Sequence, residues 1–357
     1  MPPSLSRRRG FIAVAALLAA TSALLGQQVR GNLVADSSGR PVPSAIVELL
    51  DSSGVAVVQT VSSGDGRFAL TAPRPGSYRI RVRRIGFKST LGDLETLAAG
   101  RVATITLRLP ALTVTLAPVE VVGRDVCPAE MRGGSPTGDV WEEARKALLL
   151  TALARAEHRL EVRSERYSRD VVVSSRQILN EHVSVMTGDS IALFRSAPAE
   201  DLARLGYVWQ QSNGVVYFAP DADVMLAESF AATHCFQLVP DPAKNDAIIG
   251  LRFTPTVPDT LPEVSGVLWL DRVTSELREM EFHFVRAPTG LPDDSLIGGK
   301  VGFEMLPSGW WTVNRWELRI PLVVARPHGR VMGFTLVRYR EVGGRLLEAK
   351  ESSEAMP

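Results

Sequence analysis

Residues 64–83 read Gly-Asp-Gly-Arg-Phe-Ala-Leu-Thr-Ala-Pro-Arg-Pro-Gly-Ser-Tyr-Arg-Ile-Arg-Val-Arg. Asp65-Gly66 and Pro75-Gly76 supply the backbone angles of tight turns. Between and after them Phe68, Leu70, Tyr78, Ile80 and Val82 fall on every second position. That period of two makes half-buried strands, and Arg79, Arg81 and Arg83 form the other face of the second one. Outward from this stretch the pattern repeats in Val29–Val34, Ala45–Leu50, Ala56–Val61 and Val102–Leu109. Ser38-Gly39 and Ser53-Gly54 punctuate the runs, and no helical periodicity intervenes. Many short strands with regular turns predict a β-sandwich over residues 28–110, with Phe68 and Tyr78 as large core residues.

The motif string is specific. Val29-Arg30-Gly31, Gly39-Arg40-Pro41-Val42-Pro43-Ser44-Ala45-Ile46-Val47, Gly64-Asp65-Gly66-Arg67-Phe68, Pro75-Gly76-Ser77-Tyr78 and the closing Gly86-Phe87 occur in this order. In that order they resemble the carboxypeptidase-regulatory-like, transthyretin-like domain. The resemblance implies a seven-stranded sandwich without catalytic residues, of the kind appended to exported enzymes and outer-membrane receptors.

The whole chain has 357 residues, 45% hydrophobic and 22% charged, which excludes general disorder. Its 40 Lys and Arg balance 39 Asp and Glu, so charge supplies no argument for nucleic-acid binding. Residues 1–27 read as an export signal: Arg7–Arg9 precede Phe11–Leu25, which carries no charge, and Ala20–Ala23 and Gly26 offer small residues for cleavage. The apolar run falls short of the ~20 residues of a membrane span, and no later run reaches it. The expected location is the periplasm or the outer-membrane periphery. In that oxidising setting the two cysteines, Cys127 and Cys235, are expected to form a disulfide rather than a metal or redox site.

Residues 111–138 are expected to be a linker, Val-rich to Arg124 and then rich in Gly, Pro and Ser. TonB-dependent receptors follow a similar sandwich with a similar stretch, but the residues after it are too few for their 22-stranded barrel. From 139 to 357 the expectation is an α+β domain, a long helix packed on a curved antiparallel sheet. Asp139 and Glu142 suggest a capping box for a helix over about 140–158, with Trp141, Ala144, Leu148 and Ala152 on its apolar stripe and Glu142–Lys146 paired outside. Shorter helices are expected at Ala199–Leu205 and Asp221–Ala232. Strands follow at Val267–Leu270, Leu277–Phe284, Gly299–Leu306, Trp311–Leu322 and Val331–Val342. The apolar phase slips between Val313 and Trp316, which predicts a bulge at Asn314-Arg315. Gly266–Asp271 with Leu277–Phe282 resembles the lipoprotein-carrier-like folds. Trp141–Leu148, Ala219–Asp223 and Thr233–Phe236 resemble an uncharacterised exported bacterial family with this sandwich, which implies architecture and no activity.

Candidate chemistry is sparse. His158-Arg159-Leu160-Glu161 has the spacing of two zinc ligands, but a zinc peptidase needs a third ligand on an α/β fold, so no metal or other cofactor is expected. No serine elbow, phosphate loop or dinucleotide turn is present. The leading expectation is a non-enzymatic binding protein of the cell envelope. Its partner would be an envelope protein or a lipid or glycan ligand, with Trp269, Trp310, Trp311, Trp316, Phe282 and Phe284 as the candidate groove. The alternative is an envelope-polymer hydrolase using Asp221, Asp223 and His234. Trp310 and Trp311 are neighbours in a strand, so they face opposite ways and one belongs outside or in a cleft.

Overall fold

The alternation around Phe68 and Tyr78 buries one side of their two strands, and a second sheet is needed to cover that apolar face. The computed structural model describes residues 27–112, 127, 135–157, 159–189, 196–212, 214–241, 243, 246–256, 261–287, 296–328 and 331–351. Its first seven strands are β1 (Gln28–Ala35), β2 (Ile46–Leu50), β3 (Ala56–Val61), β4 (Arg67–Thr71), β5 (Gly76–Arg83), β6 (Thr90–Leu97) and β7 (Val102–Leu109). They form a β4-β1-β7 sheet facing a β3-β2-β5-β6 sheet. Val29, Leu33, Val47, Leu49, Phe68, Leu70, Tyr78 and Ile80 fill the space between. Gly31 lets the Phe68 ring lie against the β1 backbone, since a Cβ there would sit 2.6 Å from two ring carbons. Strand β6 is missing from the expected runs. It is an edge strand in which Leu91 and Leu94 are exposed and Gly92-Asp93 interrupt the alternation.

The first helix, α1 (Pro136–Ala156), starts earlier than expected. Ser135, not Asp139, is its N-cap and accepts the Gly138 N–H, and Pro136 opens the first turn. Two hairpin strands come next, β8 (Leu160–Val172) and β9 (Ile178–Asp189), then α2 (Ala199–Leu205) and the small pair β10 (Val208–Gln211) and β11 (Gly214–Tyr217). The single helix expected at 221–232 is two, α3 (Ala222–Leu226) and α4 (Glu228–Thr233). They are broken at Ala227, whose backbone is extended (φ −65°, ψ 142°).

Then comes the meander: β12 (His234–Pro240), β13 (Ile248–Pro255), β14 (Glu263–Asp271), β15 (Leu277–Val285), β16 (Gly298–Met305), β17 (Trp311–His328) and β18 (Val331–Glu351). The seven pair in sequence order, and the earlier hairpin adds to β18 to give the nine-stranded order β12-β13-β14-β15-β16-β17-β18-β8-β9. The expected bulge is present. Gly302 pairs Arg315 and Phe303 pairs Val313, which leaves Asn314 as the extra residue.

Helix α1 lies on the inner face of this sheet, with the Trp141 ring 4.6 Å from that of Phe236. The expected outside pair Glu142–Lys146 does not form. Glu142 pairs with Arg145 at 3.1 Å, and Lys146 turns inward to Glu143 at 2.5 Å, both side chains being under 5% exposed. The Lys146 ammonium also donates to the carbonyls of Arg84 (3.0 Å) and Phe87 (2.8 Å), and Glu143 accepts the Gly86 N–H at 2.9 Å. These are the turn residues that follow β5. Ile46 and Ile85 of the sandwich join the same core cluster as Val140 and Ala147 of α1.

Cys127 and Cys235 are disulfide-bonded, with Cα atoms 4.2 Å apart across a sequence separation of 108. The bond ties the segment before α1 to β12. Replacing either cysteine by Ser is expected to cost about 2–4 kcal/mol. The double replacement should cost little more, because the bridge is one shared unit. Urea unfolding of the three variants checks this, and thiol titration of the denatured, unreduced protein should find no free sulfhydryl.

Candidate functional site

Two concavities stand out, one beneath α1 and one between the domains. The first is a crevice between the helix and the inner face of the sheet, with an empty volume of ≈ 670 Å³ counting its open mouth. Leu148 and Ala154 of α1, Leu160 and Val162 of β8, Met225 of α3, Met280, Val301, Phe303 and Trp311 give it apolar walls. Thr151, Arg155, Asp221 and Thr312 add polar groups. The walls follow from periodicity. Leu148, Thr151 and Arg155 recur at three- and four-residue intervals on one helix stripe, while Val301 and Phe303 alternate on one strand face. Apolar walls with a few polar groups are the make-up of a small-molecule site.

The second is an interdomain cleft with an empty volume of ≈ 1640 Å³, open mouth included. Its sandwich wall carries Arg30, Asn32, Arg67 and Thr104, and its other wall Arg159, Trp310 and Glu351. The Arg159 guanidinium lies 5.7 Å from the centre of the Trp310 ring.

The aromatic set is spread over these environments. Trp311, the first residue of β17 and 1% exposed, lines the crevice, and Trp310 just before the strand lines the cleft. Phe282 and Phe284 pack edge to face at 5.8 Å in the core, with Tyr217 5.1 Å from Phe284. Trp269 lies against Gly250 and Trp316 against Gly344. Of the six, Trp311 alone lines the crevice.

The acidic and histidine set holds structure together. Asp221 is the N-cap of α3, accepting the Val224 N–H at 3.0 Å and the Ser196 N–H at 3.1 Å. Asp223 forms an ion pair with Arg155. His234 is buried, stacked on Phe230 at 4.0 Å, with its ring nitrogens 3.1 Å from the carbonyls of Phe230 and Val264. His158 and the side chain of His328 lie outside the described residues. Among the described residues no three His, Cys, Asp or Glu gather as metal ligands.

Sequence reasoning missed Glu263. It is 1% exposed, with one carboxylate oxygen lacking a hydrogen-bond partner, 3.9 Å from His234 Nε2. Nothing local marks it, because its burial comes from strands distant in sequence. Burial pushes the Glu263 carboxyl up to about 7 and the His234 imidazole down to about 4. The signs oppose. A raised carboxyl holds its proton in the folded state, so its contribution falls as pH rises from 4.5 to about 7. A depressed imidazole sheds its proton on folding, so its contribution falls as pH drops from 6.5 to about 4. Across their shared window the two nearly cancel. Glu263→Gln removes the first. Its stability should therefore climb with pH from 4.5 to 6.5 by up to ~1.4 kcal/mol per unit and end about 1–3 kcal/mol above the parent at pH 8. Urea unfolding across that range checks this, and parallel curves for parent and variant would refute it.

Residues 28–110 match the family model described as carboxypeptidase regulatory-like domain. No curated protein matches the chain. Among solved structures it is similar to a putative carbohydrate binding protein from Bacteroides uniformis ATCC 8492, at 7% identity over 72% of this chain and 95% of that one, TM-score 0.22. It is also similar to the hydroxyquinol 1,2-dioxygenase from Pseudomonas putida DLL-E4, at 14% identity over 24% of this chain, TM-score 0.19. The group B streptococcus pilus 2b backbone protein gives 13% identity over 25% of this chain and 42% of that one, TM-score 0.20. The chain spans 56% of the length of that dioxygenase. Likenesses this slight bear on neither fold nor activity. The family match falls on the strands whose alternation and turns build the first two sheets, and residues 28–110 are a carboxypeptidase regulatory-like domain.

Proposed function

We propose that the protein is exported to the cell envelope and acts there, without catalysis, as a carrier or receptor for an apolar chain. The crevice beneath α1 takes the ligand, and the sandwich is the adaptor to an envelope partner. The crevice carries this reading, since its walls are methionine, aliphatic and aromatic groups and its polar groups are few. Methionines such as Met225 and Met280 suit a flexible hydrocarbon because their side chains adjust to irregular shapes. Export is supported by the Arg7–Arg9 and Phe11–Leu25 pattern and by the disulfide, a bond of oxidising compartments.

A fluorescent fatty acid titrated into the mature protein should bind one to one and quench tryptophan emission through Trp311. Filling the crevice with Ala154→Phe or Val162→Phe should weaken binding at least about tenfold while the thermal midpoint stays within a few degrees. Equal affinity in parent and filled variants would place the ligand elsewhere and refute the crevice. A reporter joined after residue 30 should be exported, with a mature start between about residues 23 and 28. Mature protein that retains Arg7–Arg9 would refute the cleaved signal.

A further inference from the structure

The nine-stranded sheet ends in two unlike edges. At one end β12 is covered, with all its residues except Gln237 and Pro240 below a tenth exposed. At the other end β9 pairs on one side only, with β8, among the described residues. It is bare on both faces, and Val183, Val185 and Met186 are 50%, 51% and 42% exposed. A strand edge with free N–H and C=O groups is a template for another strand, and folded proteins shield such edges with proline, lysine or bulges. From Glu181 to Gly188 the sequence Glu-His-Val-Ser-Val-Met-Thr-Gly has neither proline nor lysine. The one irregularity lies before it, at Asn180 (φ 51°), where the β8–β9 register shifts.

We propose that β9 is the interface between two copies of this chain, paired antiparallel about a twofold axis at Ser184. The sequence of the edge selects the second copy and the register. Directly opposite residues in an antiparallel pair are both hydrogen-bonded or both not, so a twofold axis must pass through a residue rather than between two. An axis at Ser184 sets Val183 of each copy opposite Val185 of the other, His182 opposite Met186 and Glu181 opposite Thr187. The exposed valines then cover one another twice, and no like charges meet. An axis at Val183 sets Val185 against Glu181, and one at Val185 sets Val183 against Thr187, each with a single valine pair. Valine suits such cross-strand contacts because its branched side chain packs on the pleated surface. The result joins two nine-stranded sheets edge to edge. So short a contact is below the area of a permanent dimer, so the association is reversible.

The test is sedimentation equilibrium of the mature protein from 1 to 500 µM. The expected result is a monomer–dimer equilibrium that Val185→Lys weakens at least tenfold. Val273→Lys, at a site 87% exposed in a turn away from the edge, should leave it unchanged. Ser184→Cys should cross-link copy to copy on mild oxidation, because the register places that residue opposite itself, while Ser174→Cys should not. A protein monomeric throughout the range overturns the proposal, and so does a dimer that survives Val185→Lys or cross-links equally at position 174. A monomer that instead binds a synthetic peptide of alternating Val and Thr overturns it too, since the edge then receives a foreign strand.

Discussion

The Lys146–Glu143 pair is the contact on which the arrangement of the two domains depends. A buried ammonium must have partners, since an uncompensated charge in the interior costs several kcal/mol. Lys146 finds three acceptors: the Glu143 carboxylate and the carbonyls of Arg84 and Phe87. Two of those belong to the sandwich, so the ammonium is satisfied only while the sandwich sits on α1. Burial pushes the Glu143 carboxyl above its usual value, opposed by Lys146 and by the Gly86 N–H. Neither residue can be left behind if the domains part. The same surface buries Ile46 and Ile85, so the polar contacts set geometry within a largely apolar junction.

Helix α1 thus serves three structures. One stripe docks the sandwich, another lines the crevice through Leu148, Thr151 and Arg155, and the disulfide joins Cys127, ahead of the helix in sequence, to β12. The crevice lies between α1 and the strand face that carries Val301 and Phe303, and nearer the start of the helix Trp141 packs on Phe236. Of the two concavities one is apolar and lined by α1, and the other lies between the domains and carries Arg30, Arg67 and Arg159.

The sandwich was legible because turns and alternation are local signals, and Asp65-Gly66 or Tyr78-Ile80-Val82 reads the same in any context. The bulge at Asn314 was legible for the same reason, as a break in phase. The charged stripe of α1 was not. Glu143 and Lys146 look like a solvated face, and only the sandwich above them makes them interior. Asp221, Asp223 and His234 were read for chemistry because of their residue types, yet a cap, an ion pair and a pair of backbone carbonyls engage them. Strand β9 escaped because a strand exposed on both faces has no apolar period to read, and it carries its valines outward.

Differential scanning calorimetry of the mature protein and of Lys146→Met tests the coupling most directly. With α1 shared between the domains, the parent should unfold in one transition whose calorimetric and van't Hoff enthalpies agree. Lys146→Met leaves Glu143 buried without its cation, so the sandwich should separate into a transition of its own, at lower temperature. Two transitions already in the parent, unchanged by the substitution, would contradict the account and make the junction incidental.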